Sequence, residues 1–322
     1  LMAISKSRDK DYSRILGDRY KYKLRSLLRA GKRGEPGHWC DEDCVLVEAD
    51  FKGAELAVMA WLSGDPVMCE HVARANLDEN DPDYYDIHSN IAVAAFRLNC
   101  APTKKALEEA GYGHLRNAAK AIIFGSAYGR GPKAIVMAAR EEGVAVTLEE
   151  VAVLQGTIFK TYSKLEPFFE KCRERVLQPG WICNPFGSFR RFPKNLYDES
   201  MLHDLQREAQ NWPIQSTVAE AVSDAVRHLM AYRRDSGDPD MFRIVLQIHD
   251  ALLFEVPLSR VAKVVKEVIP LCMERKVPVF PCDLDGMPVS NRPHYFGTEI
   301  EVFVNWGEKL PKSRLEELGV AA

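Results

Sequence analysis

Nothing in the sequence approaches the run of roughly twenty apolar residues that a membrane-spanning helix needs, and the N-terminus lacks the charged-then-apolar layout of a secretory signal. A cytosolic, phage-infected or organelle-matrix setting is therefore expected. Internal repeats and low-complexity tracts are also missing. The eight cysteines, at positions 40, 44, 69, 100, 172, 183, 272 and 282, show no repeated short spacing, which argues against a disulfide framework and against a four-thiolate zinc site. Reduced thiols are expected. One local cluster, His38-Trp39-Cys40 with Cys44, offers metal-ligating residue types, yet no second close pair follows, and ordinary loop residues are the expectation there. Positive net charge is lacking too: 43 Lys and Arg stand against 46 Asp and Glu, a formal charge of −3, at first sight unsuited to binding a polyanion. The chain opens on Leu1-Met2, with no methionine in first place, as a fragment, a processed product or a trimmed chain would.

What is present reverses part of that impression. The chain has 322 residues and 46% hydrophobic content, enough for one large domain or two packed ones. Charge is unevenly spread: Arg19, Lys21, Lys23, Arg25, Arg29, Lys32 and Arg33 follow one another with no acid between them, interleaved with Tyr20 and Tyr22. A second knot, Arg190, Arg191 and Lys194, lies among Phe186, Phe189 and Phe192. Cations mixed with aromatics suit a nucleic-acid groove, a solvated surface being the alternative for either patch alone.

Periodicity predicts a mixture of elements. Val45 to Val47 reads as a buried strand running into Asp50, and residues 54–62 carry helical spacing. Helices are predicted over 66–75, 86–98 and about 112–127, where Gly129-Arg130-Gly131-Pro132 breaks the pattern. Thr147 with Glu150 forms a capping-box pattern opening a long helix toward Arg175. Asn184 to Gly187 marks a turn, and two helices follow near 199–211 and 214–233. Residues 242–256 read as a hairpin with Asp250 at its tip, followed by a helix over about 259–275 and a strand over 299–304. Antiparallel strands with long helices indicate an α+β fold.

Two constellations carry chemistry. Asp50 and Asp250, two hundred residues apart, each end a short apolar strand, so a sheet can bring them together as hard oxygen ligands for a pair of Mg²⁺ ions; a turn or cap is the alternative for each alone. Arg116, Lys120, Phe124 and Tyr128 recur every four residues, and on a helix they form a slowly turning stripe about 18 Å long, cationic at one end and aromatic at the other. Such a stripe suits a nucleoside triphosphate, and equally an amphipathic helix with surface cations and core aromatics.

The motifs resemble those of family A DNA polymerases, the bacterial DNA polymerase I type. Asp50-Phe-Lys-Gly-Ala-Glu55-Leu with Leu62-Ser-Gly-Asp65 is similar to the family's first polymerase motif, and Arg116 to Gly129 to its fingers helix. Leu246-Gln-Ile-His-Asp250-Ala-Leu-Leu-Phe-Glu-Val is similar to the third motif. Arg207-x3-Asn211-x-Pro-x-Gln215-x-Thr217, Asp86-Ile-His88 and Asn305-Trp306-Gly-Glu308 fit in the same order. The resemblance implies template-directed transfer of a dNTP to a primer 3′-hydroxyl on primer-template DNA. Asp50, Asp250 and the Phe51 carbonyl are then expected to hold two Mg²⁺, and Lys120, Arg116 and His88 to contact the phosphates. Phe124 is expected on the sugar and base, and Glu55, held by Tyr128, as the gate against a 2′-hydroxyl. Arg207, Asn211, Gln215 and His249 are expected along the minor groove.

The resemblance also implies a palm with an antiparallel sheet and helical fingers: a basic segment (1–44) leading into the palm, palm (45–85), fingers (86–198), then palm and tail (199–322). Thumb and exonuclease domains are expected to be absent, and a second polypeptide is a candidate to supply them. Ala251 stands where the family has a second Glu, so a reduced rate or altered metal preference is expected. Two other readings stay open: a DNA-binding subunit of a split polymerase with little activity alone, and an enzyme like single-subunit RNA polymerases, against which Glu55 and Phe124 argue.

Overall fold

The computed structural model describes residues 28–141, 145–193, 198–274 and 296–320; the basic run from Arg19 to Arg25, Lys194 and Cys282 fall outside the described residues. Seven strands occur among the described residues: β1 (Cys44–Phe51), β2 (Trp181–Cys183), β3 (Phe189–Arg191), β4 (Arg243–Ile248), β5 (Ala251–Pro257), β6 (Thr298–Asn305) and β7 (Glu308–Lys309). The chain divides into two compact units, with cuts after Lys52 and after Val218.

The first unit is built on an antiparallel sheet in the order β4-β5-β1-β6-β7, the antiparallel sheet expected from the sequence. Leu46 of the central strand β1 joins Ala30, Leu253, Phe303 and Trp306 in one apolar cluster. Val45, Val47 and Ala49 point to the other face and are buried as well. With both faces covered, β1 reads as a nearly continuous apolar run and not as an alternation. Its last turn outward is polar: Asp50 lies opposite Ala251 on β5 and Glu299 on β6. β4 and β5 are joined by His249 and Asp250 alone, since Ile248 already pairs with Ala251. The helix expected near 259–275 is uneven. It opens with a 3₁₀ turn (Leu258–Arg260) and widens into a π turn over Val264–Val268. That widening precedes Pro270, whose missing N–H interrupts the regular ladder.

The second unit is mainly helical. The helix Ala54–Ser63 ends at Gly64 (φ 62°), and the buried Asp65 then caps Pro66–Ala75 by accepting from the Met68 amide at 2.9 Å. Leu62-Ser-Gly-Asp65 is thus a helix stop followed at once by a helix start. The other oxygen of Asp65 accepts from the Lys164 amide at 3.0 Å. That contact explains a departure from expectation: Thr147 and Glu150 do form the capping box, but the long helix splits into Leu148–Thr161 and Leu165–Glu174. Tyr162, at the break, is buried and hydrogen-bonded to His71 at 3.1 Å, so tertiary partners override local propensity. The opposite happens at Pro213, where two expected helices are one, Glu199–Asp235, with the Thr217 hydroxyl donating to the Pro213 carbonyl. Short helices Lys104–Glu109 and Pro132–Glu141 and the β2–β3 hairpin also escaped the sequence reading. The hairpin turns on buried Asn184, whose side-chain oxygen accepts from the amides of Phe186 (3.1 Å) and Ser188 (2.9 Å).

Candidate functional site

The sheet unit carries a cluster of carboxylates. Asp50, paired with Ala251 across β1–β5, and Asp250 in the preceding turn are brought close enough for their carboxyl groups to interact. Burial pushes the Asp50 carboxyl up, and the charges of Asp250, Glu48 and Glu299 push it further, to about 7. Asp50 Oδ1 is buried without a hydrogen-bond partner. Acidic groups crowded this way, with an orphaned buried oxygen, fit the hard oxygen donor set that Mg²⁺ prefers. Phe51, the next residue, packs its ring on Phe296 at 4.9 Å. His249 is exposed, with φ at 53°, a left-handed conformation that a non-glycine residue adopts at a cost of about 1 kcal/mol and that lets two residues close the hairpin.

The helical unit carries the stripe. On the helix Gly113–Ala127, Leu115, Ala118, Ala119, Ile122 and Ile123 are buried, while Lys120 is exposed and Arg116, Phe124 and Tyr128 are half-buried along the other face. Arg116 donates through Nε to Asp86 at 2.8 Å and to the Ser89 hydroxyl at 3.2 Å. Asp86 caps the helix Ile87–Phe96 through the Ser89 amide. Burial works to raise the Asp86 carboxyl, but its bonds from Arg116 and Ser89 outweigh burial and hold it below the usual carboxylate range. Two residues on, burial pushes the His88 imidazole down to about 3, with help from the charges of Arg116 and Lys120. The ring is therefore neutral near pH 7; its Nδ1 is buried without a partner, and its centroid lies 6.3 Å from that of Phe124.

Three side chains from separate segments of this unit converge at the end of the stripe. The Tyr128 hydroxyl donates to Glu55 Oε1 at 3.1 Å, and the Gln215 amide donates both to Glu55 and to Tyr128 Oη, the latter at 2.9 Å. Glu55 is fixed by two donors. Arg207, Asn211 and Gln215 share one face of Glu199–Asp235; Arg207 is exposed and paired with Asp204, and Asn211 Oδ1 is buried without a partner.

Several residues were missed in the sequence. Buried Gln210 donates to the carbonyls of Ser126 (2.5 Å) and Ala127 (3.3 Å), closing the C-terminal end of the stripe helix, and accepts from Arg173 at 2.7 Å. Its position beside Asn211 held no signal of that role. Glu299 was read only as the start of a strand, because pairing partners are not encoded in periodicity. His38, Cys40 and Cys44, read as ordinary loop, place their ligand atoms within 4.8 Å of one another. A cleft of about 410 Å³ in the helical unit is lined by Arg130, Arg173, Arg207, Phe159 and Phe169 among others, a mixture of cations and aromatics next to Gln210. On the β2–β3 hairpin, Phe189 is 55% exposed and stacks edge-on to Trp181, while Arg190 is paired with Glu208 at 2.6 Å.

Comparison with known proteins gives a consistent result. The sequence profile described as DNA polymerase family A matches residues 33–285. The thermostable DNA polymerase I of Thermus thermophilus is 29% identical over 73% of this chain and 26% of its own length. The DNA polymerase of Escherichia phage T5 is 32% identical over 65% of this chain and 25% of its own. The chain thus spans about a quarter of the length of these curated relatives. In fold it is similar to the POL domain of Pol1 from M. smegmatis, solved in complex with DNA primer-template and dNTP: TM-score 0.64 at 21% identity, covering 88% of this chain and 42% of that one.

Proposed function

Since the chain belongs to DNA polymerase family A, we propose that it carries out template-directed DNA synthesis, transferring a dNTP to a primer 3′-hydroxyl. The observation that carries this reading is the strand pairing that sets Asp50 beside Asp250 and opposite Glu299, with Asp50 Oδ1 buried and without a hydrogen-bond partner. Asp50, Asp250 and the Phe51 carbonyl are the proposed holders of two Mg²⁺. When bound, these ions would activate the primer hydroxyl for attack on the α-phosphorus and neutralise the departing pyrophosphate. The chain's own groups do the rest. Exposed Lys120 offers a compact cation to the triphosphate and a proton to the leaving group. Arg116, its Nε held by Asp86, keeps its terminal guanidinium nitrogens for the outer phosphates, and His88 contributes there as a neutral donor. Phe124 packs on the sugar and base.

Glu55 occupies the space of a ribose 2′-hydroxyl, and the bonds from Tyr128 and Gln215 keep it from swinging aside. Arg207, Asn211, Gln215 and His249 are proposed to follow the minor-groove edge of the terminal base pairs, where every correct pair shares acceptor positions. The two units are proposed to correspond to palm and fingers, acting in the cytoplasm of a bacterial or phage-infected cell. Among the described residues no helix is long and apolar enough to cross a membrane.

Primer extension on a primed template, with dNTPs and rNTPs in parallel and Asp250→Ala as control, tests the proposal. Extension with dNTPs alone, lost in the variant, is expected. Extension only after a thumb-bearing polypeptide is added would assign this chain to a split enzyme, and no extension under any metal or partner condition would sink the catalytic reading.

A further inference from the structure

A second cluster of metal-ligating residue types, of opposite chemistry to the carboxylate pair, lies at the start of β1. His38 Nε2, Cys40 Sγ and Cys44 Sγ stand 3.4 Å (His38–Cys40), 3.5 Å (Cys40–Cys44) and 3.9 Å (His38–Cys44) apart. Metal–ligand distances of about 2.3 Å for sulfur and about 2.0–2.1 Å for imidazole nitrogen, at tetrahedral angles, demand edges of about 3.8 Å between sulfurs and about 3.6 Å between sulfur and nitrogen. The three observed edges already match within a few tenths of an ångström. A fourth atom lies beside them: the Glu42 carbonyl oxygen is 3.5 Å from Cys40 Sγ, 3.9 Å from Cys44 Sγ and 2.7 Å from His38 Nε2; the last is a hydrogen bond, shorter than the about 3.4 Å of a tetrahedral N–O edge, so this oxygen must move outward as a metal replaces the N–H.

Without a metal this arrangement is poorly satisfied. One carbonyl oxygen, with two lone pairs, faces an imidazole N–H and two thiols at once. A soft or borderline divalent cation removes the conflict: two thiolates cancel its charge, the imidazole binds as the neutral base, and the two thiol protons leave to solvent.

The loop holding these groups is fastened before any metal arrives. Glu255 on β5 accepts from the Gly31 amide and from the Trp39 indole, each at 2.6 Å. Glu42 is bound by the Ser259 hydroxyl (2.9 Å) and by Arg260 (2.6 Å), and the Leu258 amide donates to the Asp43 carbonyl at 3.0 Å. Gly31 is itself required here: a Cβ at that position would fall 2.2 Å from His38 Nδ1, so only glycine lets the ring sit against the backbone. Such outer contacts orient ligands in known metal sites.

We infer that His38, Cys40 and Cys44 bind one Zn²⁺ per chain, with the Glu42 carbonyl at the fourth corner, as a structural staple that locks the entry of β1. Mg²⁺, a hard ion, does not compete for it. The spacing His-x-Cys-x3-Cys, too short on its own to mark a zinc site, becomes one because the loop doubles back on β5.

The test uses the full chain, purified under reducing conditions, stripped with chelator, and titrated with Co²⁺ and then Zn²⁺. One equivalent of Co²⁺ is expected to give the visible ligand-field bands of a tetrahedral ion and a sulfur-to-metal charge-transfer band. Zn²⁺ should displace it, and excess Mg²⁺ should not. Cys40→Ser and Cys44→Ser are each expected to lose the charge-transfer intensity and to weaken Zn²⁺ binding by at least about a hundredfold, more than loss of an outer-shell partner does. Cys69→Ser, a thiol of the helical unit, should bind like the wild type. Should a cysteine variant fail to fold, thiol counting on the wild type replaces it: Zn²⁺ is expected to protect two thiols from alkylation. Wild-type chain that takes up no stoichiometric Co²⁺ or Zn²⁺, binding that survives both cysteine substitutions, or a Cys40–Cys44 disulfide in place of metal uptake would each overturn the inference.

Discussion

Replacing Asp50 by Asn should make the metal-free protein more stable, and by an amount that depends on pH. The Asp50 carboxyl is raised from 3.8 to about 7, first by burial and then by Asp250, Glu48 and Glu299. The folded state therefore holds this proton more tightly than the unfolded chain does, and stability falls as pH rises from about 4 to about 7. A shift of roughly three units, at about 1.4 kcal/mol each, sets a ceiling of about 4 kcal/mol. Asp50 is only partly enclosed, and solvent screening reduces the effect to about 2 kcal/mol. An amide of the same shape carries no charge and can donate to Asp250. In chelator at pH 8, Asp50→Asn is expected to melt about 4 °C above the wild type by circular dichroism; at pH 4 the two should coincide, and saturating Mg²⁺ should raise the wild type alone. A variant no more stable than the wild type at pH 8, or a difference that does not change with pH, would refute the reasoning that strained charge marks the metal site.

Other expectations follow from single contacts. Tyr128→Phe removes one donor to Glu55, a loss of about 1 kcal/mol, and is expected to raise ribonucleotide incorporation about fivefold in single-nucleotide extension with little change for dNTP. Gln210→Leu removes a donor from the Ser126 and Ala127 carbonyls and the acceptor of Arg173, and should cost about 1–3 kcal/mol in denaturant unfolding. Gly129→Ala, at φ 64° and with its Cβ 3.0 Å from Arg207 Cγ, should cost about 1–2 kcal/mol, read by thermal melting. The depressed carboxyl of Asp86 contributes stability above its unfolded value of 3.8 and loses it as pH falls through its folded value. Asp86→Asn should therefore melt below the wild type at pH 7, and the curves should converge in acid.

Much of this was legible in the residues, and the gaps have physical causes. The stripe Arg116-Lys120-Phe124-Tyr128 and the hairpin around Asp250 follow from periods of 3.6 and 2, which depend only on local geometry. The β1 run could be read as buried but not as central, since pairing with β5 and β6 is a long-range property; Glu299 went unnoticed for that reason. Helix ends failed where a distant group decided them. Lys164 is claimed by Asp65, ninety-nine residues away, and splits one expected helix, whereas Pro213 sits inside a helix that continues through it. The loop from His38 to Cys44 shows the same limit: its three ligand types were visible, but their convergence depends on Glu255 and Arg260, far along the chain.

The carboxylate pair is tested most directly by counting the ions it holds. Electron paramagnetic resonance of Mn²⁺, titrated into the chain with a primed template and a non-hydrolysable dNTP, follows the free-ion signal as sites fill. Loss of signal up to about two equivalents, with the broadening of neighbouring spins, is expected, and both should vanish in the Asp50→Asn, Asp250→Asn double variant. Retention of the free Mn²⁺ signal in the wild type, or equal uptake by the double variant, would contradict it.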